Sequence, residues 1–281
     1  MKDIEIELGH ITLGGLSSGD VNKPILLALH GWLDNAASFI PLSEYLKDYH
    51  VLAIEWPGHG HSAHRTADAS YHITDYVYDL YMLSLYIEQH YQCRQLTIIG
   101  HSMGGIVGSI FAGTFTDRVS KLIMIESFGP LAATAEESAS HLKKSILQRS
   151  RAGRKDMPIH PNIQSAVIAR TNAGDFNQDL AQLLVERGIV AVDGGFTWRS
   201  DARLRSLSPM RMTELQAQDF LSGISIPTLF IVATKGLDFA KESMKNRMAI
   251  VKQLTVLDFS GGHHVHMEQP QKIATAITKF I

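Results

Sequence analysis

Short apolar runs bounded by glycine, proline or polar residues alternate along this chain with longer segments in which apolar residues recur at helical spacing. A strand covered on both faces carries no polar alternation, so this pattern predicts an α/β fold with a mostly parallel central sheet of about eight strands flanked by helices. Pro24 to Leu29, Val51 to Glu55, Leu96 to Gly100, Lys121 to Glu126, Thr228 to Ala233 and Gln253 to Phe259 read as its parallel strands. Ile4 to Leu8 and His10 to Leu16 predict an antiparallel hairpin at one edge. Helical spacing covers Ala36 to Asp48, Ser70 to His90, Gly104 to Phe115 and Gln271 to Phe280.

The rhythm breaks once, after the sixth strand. The interval from Glu126 to Thr228 is far longer than an ordinary crossover, and it contains helical patterns over Ala135 to Arg151, Asn162 to Asn172 and Gln178 to Arg187. A more irregular stretch follows through Trp198-Arg199-Ser200-Asp201. An insertion at the carboxyl end of a strand lies over the crevice where open α/β sheets bind ligands. Residues 129–224 are therefore expected to form a helical cap, with 1–128 and 225–281 as the α/β core.

Composition narrows the function classes. The chain has 281 residues, 45% of them hydrophobic, enough for a large core, and 26 basic residues oppose 28 acidic ones. No global field draws such a protein to nucleic acid or to an anionic membrane, so a small-molecule substrate is expected. A single cysteine, Cys93, excludes an internal disulfide and agrees with a reducing compartment. Neither a signal peptide nor the roughly 18 consecutive apolar residues of a membrane span is visible, and the cytoplasm is the expected location.

Chemistry concentrates at Thr97-Ile98-Ile99-Gly100-His101-Ser102-Met103-Gly104-Gly105. An apolar strand ends at a serine between small residues and becomes helical, which is the Gly-x-Ser-x-Gly nucleophile elbow in its proper context. A serine that transfers acyl groups needs a base, a group to hold that base, and donors for the developing oxyanion. The donors would be the backbone N–H groups of Met103, directly after the serine, and of Trp32, in the loop after the first parallel strand. The base lies in Gly262-His263-His264-Val265-His266-Met267, between the last strand and the last helix. His263 and His264 compete for the role, and His266 is placed to pack. His59, His61 and His64 are explained by a Pro-Gly turn, and no metal or cofactor is expected.

These landmarks resemble the α/β-hydrolase superfamily over nearly the whole chain outside the cap. The His-Gly loop stands as His30-Gly31-Trp32, the Pro-Gly-x-Gly-x-Ser turn as Pro57-Gly58-His59-Gly60-His61-Ser62, and the terminal motif as Gly262-His263-x-Val265-His266-Met267-Glu268-Gln269-Pro270. The resemblance implies that His263 rather than His264 is the base. The His30-Gly31-Trp32-Leu33-Asp34-Asn35 opening and Trp198-Arg199-x-Asp201 look like the serine hydrolase-like branch.

The acid departs from the usual pattern. Most superfamily members carry an aspartate two or three residues beyond the small residue ending the penultimate strand, and here Ala233-Thr234-Lys235-Gly236 places a glycine there. Asp238 follows two residues late. Glu126, at the carboxyl end of the strand after the nucleophile helix, occupies a place some members use, and it is the favoured acid. The expected activity is metal-free hydrolysis of a small carboxylic ester or related acyl compound by Ser102, His263 and Glu126, with Asp238 as the alternative acid. Carbon–carbon bond or thioester hydrolysis on the same triad and a non-catalytic ligand-binding role are the alternatives. Trp32, Phe39 and Trp198 are candidates to line an apolar acyl pocket. The basic segment from His141 to Lys155 reads as a solvated outer face of the cap. Oligomeric state is not legible.

Overall fold

A computed structural model describes residues 1–152, 157–174, 176–236 and 245–281. Among the described residues ten strands fall in two sheets: β1 (Lys2–Glu7), β2 (Thr12–Ser18), β3 (Ile25–Leu29), β4 (His50–Ile54), β5 (Leu96–His101), β6 (Val119–Ile125), β9 (Thr228–Ala233) and β10 (Leu254–Phe259) form the main one. Its order is β1-β2-β4-β3-β5-β6-β9-β10. The six strands from β4 to β10 are parallel, and the β1–β2 hairpin closes one edge through antiparallel pairing of β2 with β4.

β3 and β4 are buried at every residue, as strands covered on both faces must be, whereas β10 at the far edge exposes Thr255, Val256 and Asp258. The pleat divides the core in two. Leu27, Leu29, Leu52, Ile54, Ile98, Leu122 and Phe230 pack on one face against helices α2 (Ile73–Tyr91) and α3 (Met103–Thr114). Their neighbours Leu26, Ala28, Val51, Ala53, Ile99, Ile123 and Ile231 pack on the other against Phe39, Leu42 and helix α9 (Pro270–Phe280).

The helix expected over Ala36 to Asp48 is shorter than its apolar spacing implies. A 3-10 turn, Ala36–Phe39, leads into a single helical turn, α1 (Ile40–Ser43). Pro41 has no N–H to continue the preceding turn and is tolerated only at a helix start.

Between β6 and β9 lie helices α4 (Ser138–Ala152), α5 (Ile163–Ala173), α6 (Gln178–Gly188) and α7 (Glu214–Ser222), and a hairpin, β7 (Ile189–Val192) and β8 (Gly195–Trp198). The stretch read as irregular is therefore a paired ribbon in part. Its two-residue turn is Asp193-Gly194, with Gly194 at φ +87°, a conformation that favours glycine. α5 and α6 bury Ala166, Val167, Ala181, Leu184 and Val185 in a third apolar cluster that also contains Met267, from the short helix α8 (Val265–Glu268). The inserted segment thus packs directly onto the turn that follows the candidate base. α4 exposes nearly all of its surface, including Lys143, Lys144, Arg149 and Arg151; Arg154 and Lys155 lie outside the described residues.

Candidate active site

Four non-glycine residues among those described have left-handed backbone: Leu33, Gln92, Ser102 and Glu126, at φ 61°, 52°, 49° and 55°. Gln92 merely ends α2. The other three belong to the loop after β3, the end of β5 and the end of β6, which meet at the carboxyl edge of the sheet. Each such residue costs on the order of 1–3 kcal/mol and persists only where its surroundings over-determine it.

Ser102 caps α3 with φ 49° and ψ −116°, and its N–H donates to the Ile125 carbonyl at 2.9 Å. The bend is tight enough to forbid side chains on either side. A Cβ on Gly100 would lie 2.5 Å from the Gly105 nitrogen, and one on Gly104 would lie 2.5 Å from the Leu29 carbonyl carbon. Met103 opens α3, so its N–H is among those that a helix leaves without an internal partner, at the end where the macrodipole favours negative charge.

Glu126 prolongs β6 by one residue. Its N–H donates to the Ile231 carbonyl at 3.0 Å, and its Oε1 accepts from Ala233 N–H at 2.5 Å, so the carboxylate is turned toward the end of β9. It is only 6% exposed. The space it fills is the space a side chain at Gly236 would need: a Cβ there would lie 2.5 Å from Glu126 Cδ and closer still to Oε2. The glycine that replaces the usual acid therefore makes room for this carboxylate. Glu126 Oε2 lies 3.3 Å from His263 Nδ1. Asp238, the alternative acid, lies outside the described residues.

The histidine loop separates the competing imidazoles. His263 is turned toward Glu126, whereas His264 donates from Nε2 to Asp34 Oδ2 at 3.1 Å, and buried His266 approaches Ser38 Oγ through Nε2 at 3.3 Å. His101 holds this loop against the elbow. Its Nε2–H donates to the His263 carbonyl at 2.9 Å, which ties the residue before Ser102 to the backbone of His263. The opposite ring nitrogen, Nδ1, has no hydrogen-bond partner among the described residues and lies 3.6 Å from Asp34 Oδ2.

In the loop after β3, His30 is structural. Its Nδ1–H donates to the Gly31 carbonyl at 2.7 Å, and its Nε2 accepts from Trp56 N–H at 3.1 Å. Trp32 is 51% exposed, and its indole N–H donates to the Leu204 carbonyl at 3.0 Å. A small crevice beside this loop is bordered by Leu33, Asp34, Arg170, Leu184 and Trp198. Phe39 is a core residue, 1% exposed and packed near His266, so it does not line a pocket.

Asp34 is the participant that sequence reasoning missed. Its carboxylate receives His264 and the Arg170 guanidinium of α5, the latter at 2.5 Å on Oδ1. Burial works to raise its pKa, but the facing imidazoles of His264 and His101 and then the Arg170 guanidinium outweigh it and hold the carboxyl well below the usual range. Asp34, His101 and His264 offer ligand-type atoms all within 4.8 Å of one another. The guanidinium already neutralises this carboxylate, however, and would repel a divalent cation. Asp34 stands four residues past His30 in the motif-bearing loop, but nothing in the local sequence names its partners.

Four fully buried histidines, His30, His59, His101 and His266, have pKa values lowered chiefly by burial, to about 3 for His59 and His101. The native state therefore refuses protons that the unfolded chain takes up below about pH 6.5, and stability is lost as pH falls through that range. Acidification from pH 7 to 5 should cost about 2 kcal/mol for each of His59 and His101, with His30 and His266 acting in the same direction. Denaturant titrations at the two pH values check this, and an unchanged midpoint would contradict it.

With this geometry in place, the comparisons with known proteins are unambiguous about class: residues 24–270 match the family described as the alpha/beta hydrolase fold, and the chain belongs to the α/β-hydrolase superfamily, in its serine hydrolase-like branch. It is similar to the serine hydrolase-like protein of Danio rerio, 27% identical over 92% of this chain and 81% of that one. The serine hydrolase-like protein 2 of Homo sapiens is 27% identical over 99% of this chain and 92% of that one. A crystal structure of a hypothetical protein from Pseudomonas aeruginosa PAO1 superposes with a TM-score of 0.91 at 32% identity, covering 100% of this chain and 98% of that one. The chain is a hydrolase by kinship. No helix among the described residues is long and apolar enough to cross a membrane.

Proposed function

We propose that this chain hydrolyses a small carboxylic ester or related acyl compound through a covalent acyl-serine. The observation that carries the reading is the convergence at one sheet edge of three segments. These are a serine in strained backbone at a helix N-terminus, a histidine loop bonded to the residue before that serine, and a carboxylate 3.3 Å from the histidine's Nδ1.

In the proposed reaction Nε2 of His263 takes the Ser102 hydroxyl proton as Oγ bonds to the acyl carbon. The N–H groups of Trp32 and Met103 hold the oxyanion, and Glu126 accepts the Nδ1–H and stabilises the imidazolium. His263 then returns its proton to the departing alcohol oxygen as the ester bond breaks. Water, deprotonated by the same imidazole, attacks the acyl carbon and releases the acid and the free serine. Residues 129–224 act as a cap over residues 1–128 and 225–281, and the lone cysteine and balanced charge suit a cytoplasmic protein.

A fluorophosphonate probe should label Ser102 in folded protein, shown by intact mass and peptide mapping, and p-nitrophenyl esters of increasing chain length should turn over. Absence of both in the folded wild type would refute the reading.

A further inference from the structure

The loop that carries Trp32 is held by the inserted segment at three places. Trp32 Nε1–H donates to Leu204 O at 3.0 Å, Asp34 Oδ1 accepts from Arg170 at 2.5 Å, and Asn35 Nδ2 donates to Leu184 O at 2.8 Å. Three separate inserted elements supply these partners: a 3-10 turn (Ala202–Arg205), α5 and α6. Between the first two tethers sits Leu33, in left-handed backbone that a leucine does not choose for itself.

Asp34 is the centre of this arrangement. It touches the inserted segment through Arg170 and the histidine loop through His264, and it lies 3.6 Å from the His101 ring, one residue before Ser102. His101 in turn bonds the His263 carbonyl. One buried carboxylate therefore connects the donor loop, the elbow and the histidine loop. Arg170 is its positively charged partner from outside them, and the Phe176 ring lies 4.9 Å from the guanidinium carbon.

We propose that Arg170, acting through Asp34, is a positioning residue: the docking of α5 sets the alignment of the Trp32 loop against Ser102 and His263, so that catalytic competence depends on how the inserted helices are seated. Arg170 reaches the reaction only through Asp34. With the guanidinium removed, the buried carboxylate loses its fixed counter-charge and Leu33 loses a restraint on its strained backbone. A displacement on the order of 1 Å in such a site costs about 10²-fold in rate.

The proposal rests on the serine hydrolase reading for its kinetic consequence, and the test separates the two. Hydrogen exchange is compared in wild type and Arg170→Gln, without any substrate. Coupling predicts faster exchange in peptides covering 30–35, 101–104 and 262–264 as well as in α5. Faster exchange confined to α5 and α6 would overturn it. In parallel, kcat/KM for p-nitrophenyl butyrate and the affinity for an alkyl trifluoromethyl ketone, whose hemiketal oxygen needs the same N–H donors, should both fall about 10²-fold in Arg170→Gln. KM should stay near the wild-type value, and Arg170→Lys should recover part of the loss. Equal ketone affinity in the variant and wild type would reduce Arg170 to a stabilising contact. A wild type that neither turns over the ester nor binds the ketone would refute the hydrolase reading, while the exchange pattern would still decide the coupling.

Discussion

Replacing Glu126 by Gln is expected to lower kcat by up to about 10⁴ with the fold intact, because a neutral amide cannot stabilise the imidazolium or enforce its tautomer. The fold survives because Gln retains an oxygen to accept the Ala233 N–H. Asp238→Asn should do much less, and the reverse ranking would move the role to Asp238. A relocation experiment makes the assignment sharper. Glu126→Gly accepts the φ of 55° and empties the volume beside Gly236, whose own backbone is not left-handed. Adding Gly236→Asp should then recover activity over Glu126→Gly alone. Gly236→Asp in the otherwise native chain should destabilise, since its Cβ and the Glu126 carboxylate claim the same space.

The second large effect concerns the nucleophile. Ser102→Ala should lower turnover by on the order of 10⁶ if serine, histidine and acid act as a unit, and it should abolish fluorophosphonate labelling. Residual turnover near the wild-type rate would remove Ser102 from the reaction. Ser102→Gly should be equally inactive yet more stable, because glycine adopts φ 49° without the roughly 1–3 kcal/mol that a side chain costs there. Thermal melts of the two variants distinguish loss of chemistry from relief of strain: only the glycine variant should melt higher than the wild type.

Most of the core sheet was legible because its signal is local. Thr228–Ala233 forms as read, and the elbow followed from glycines whose necessity is visible in the chain itself. The β7–β8 ribbon was missed although Asp193-Gly194 is a strong turn signal, because the flanking strands have only four residues each and lie among helical patterns. Phe39 was misread because an aromatic near a motif carries no sign of which way it faces. Asp34 was passed over for a different reason. Its partners Arg170 and His264 lie 136 and 230 residues away, and only the folded topology brings them to one point. The choice between His263 and His264 also needed something beyond spacing, since the two imidazoles are adjacent in sequence and diverge only through the loop's backbone.

The crowding between positions 126 and 236 has a consequence for how such a protein could change over time. Two strand termini compete for a single seat, so an acidic side chain gained at position 236 displaces the Glu126 carboxylate from its place beside the Ala233 N–H. Single-step gain of an acid at position 236 therefore carries a cost in the wild-type chain that disappears once position 126 is glycine. Laboratory evolution starting from the wild type should therefore find the exchange hard to reach by single steps.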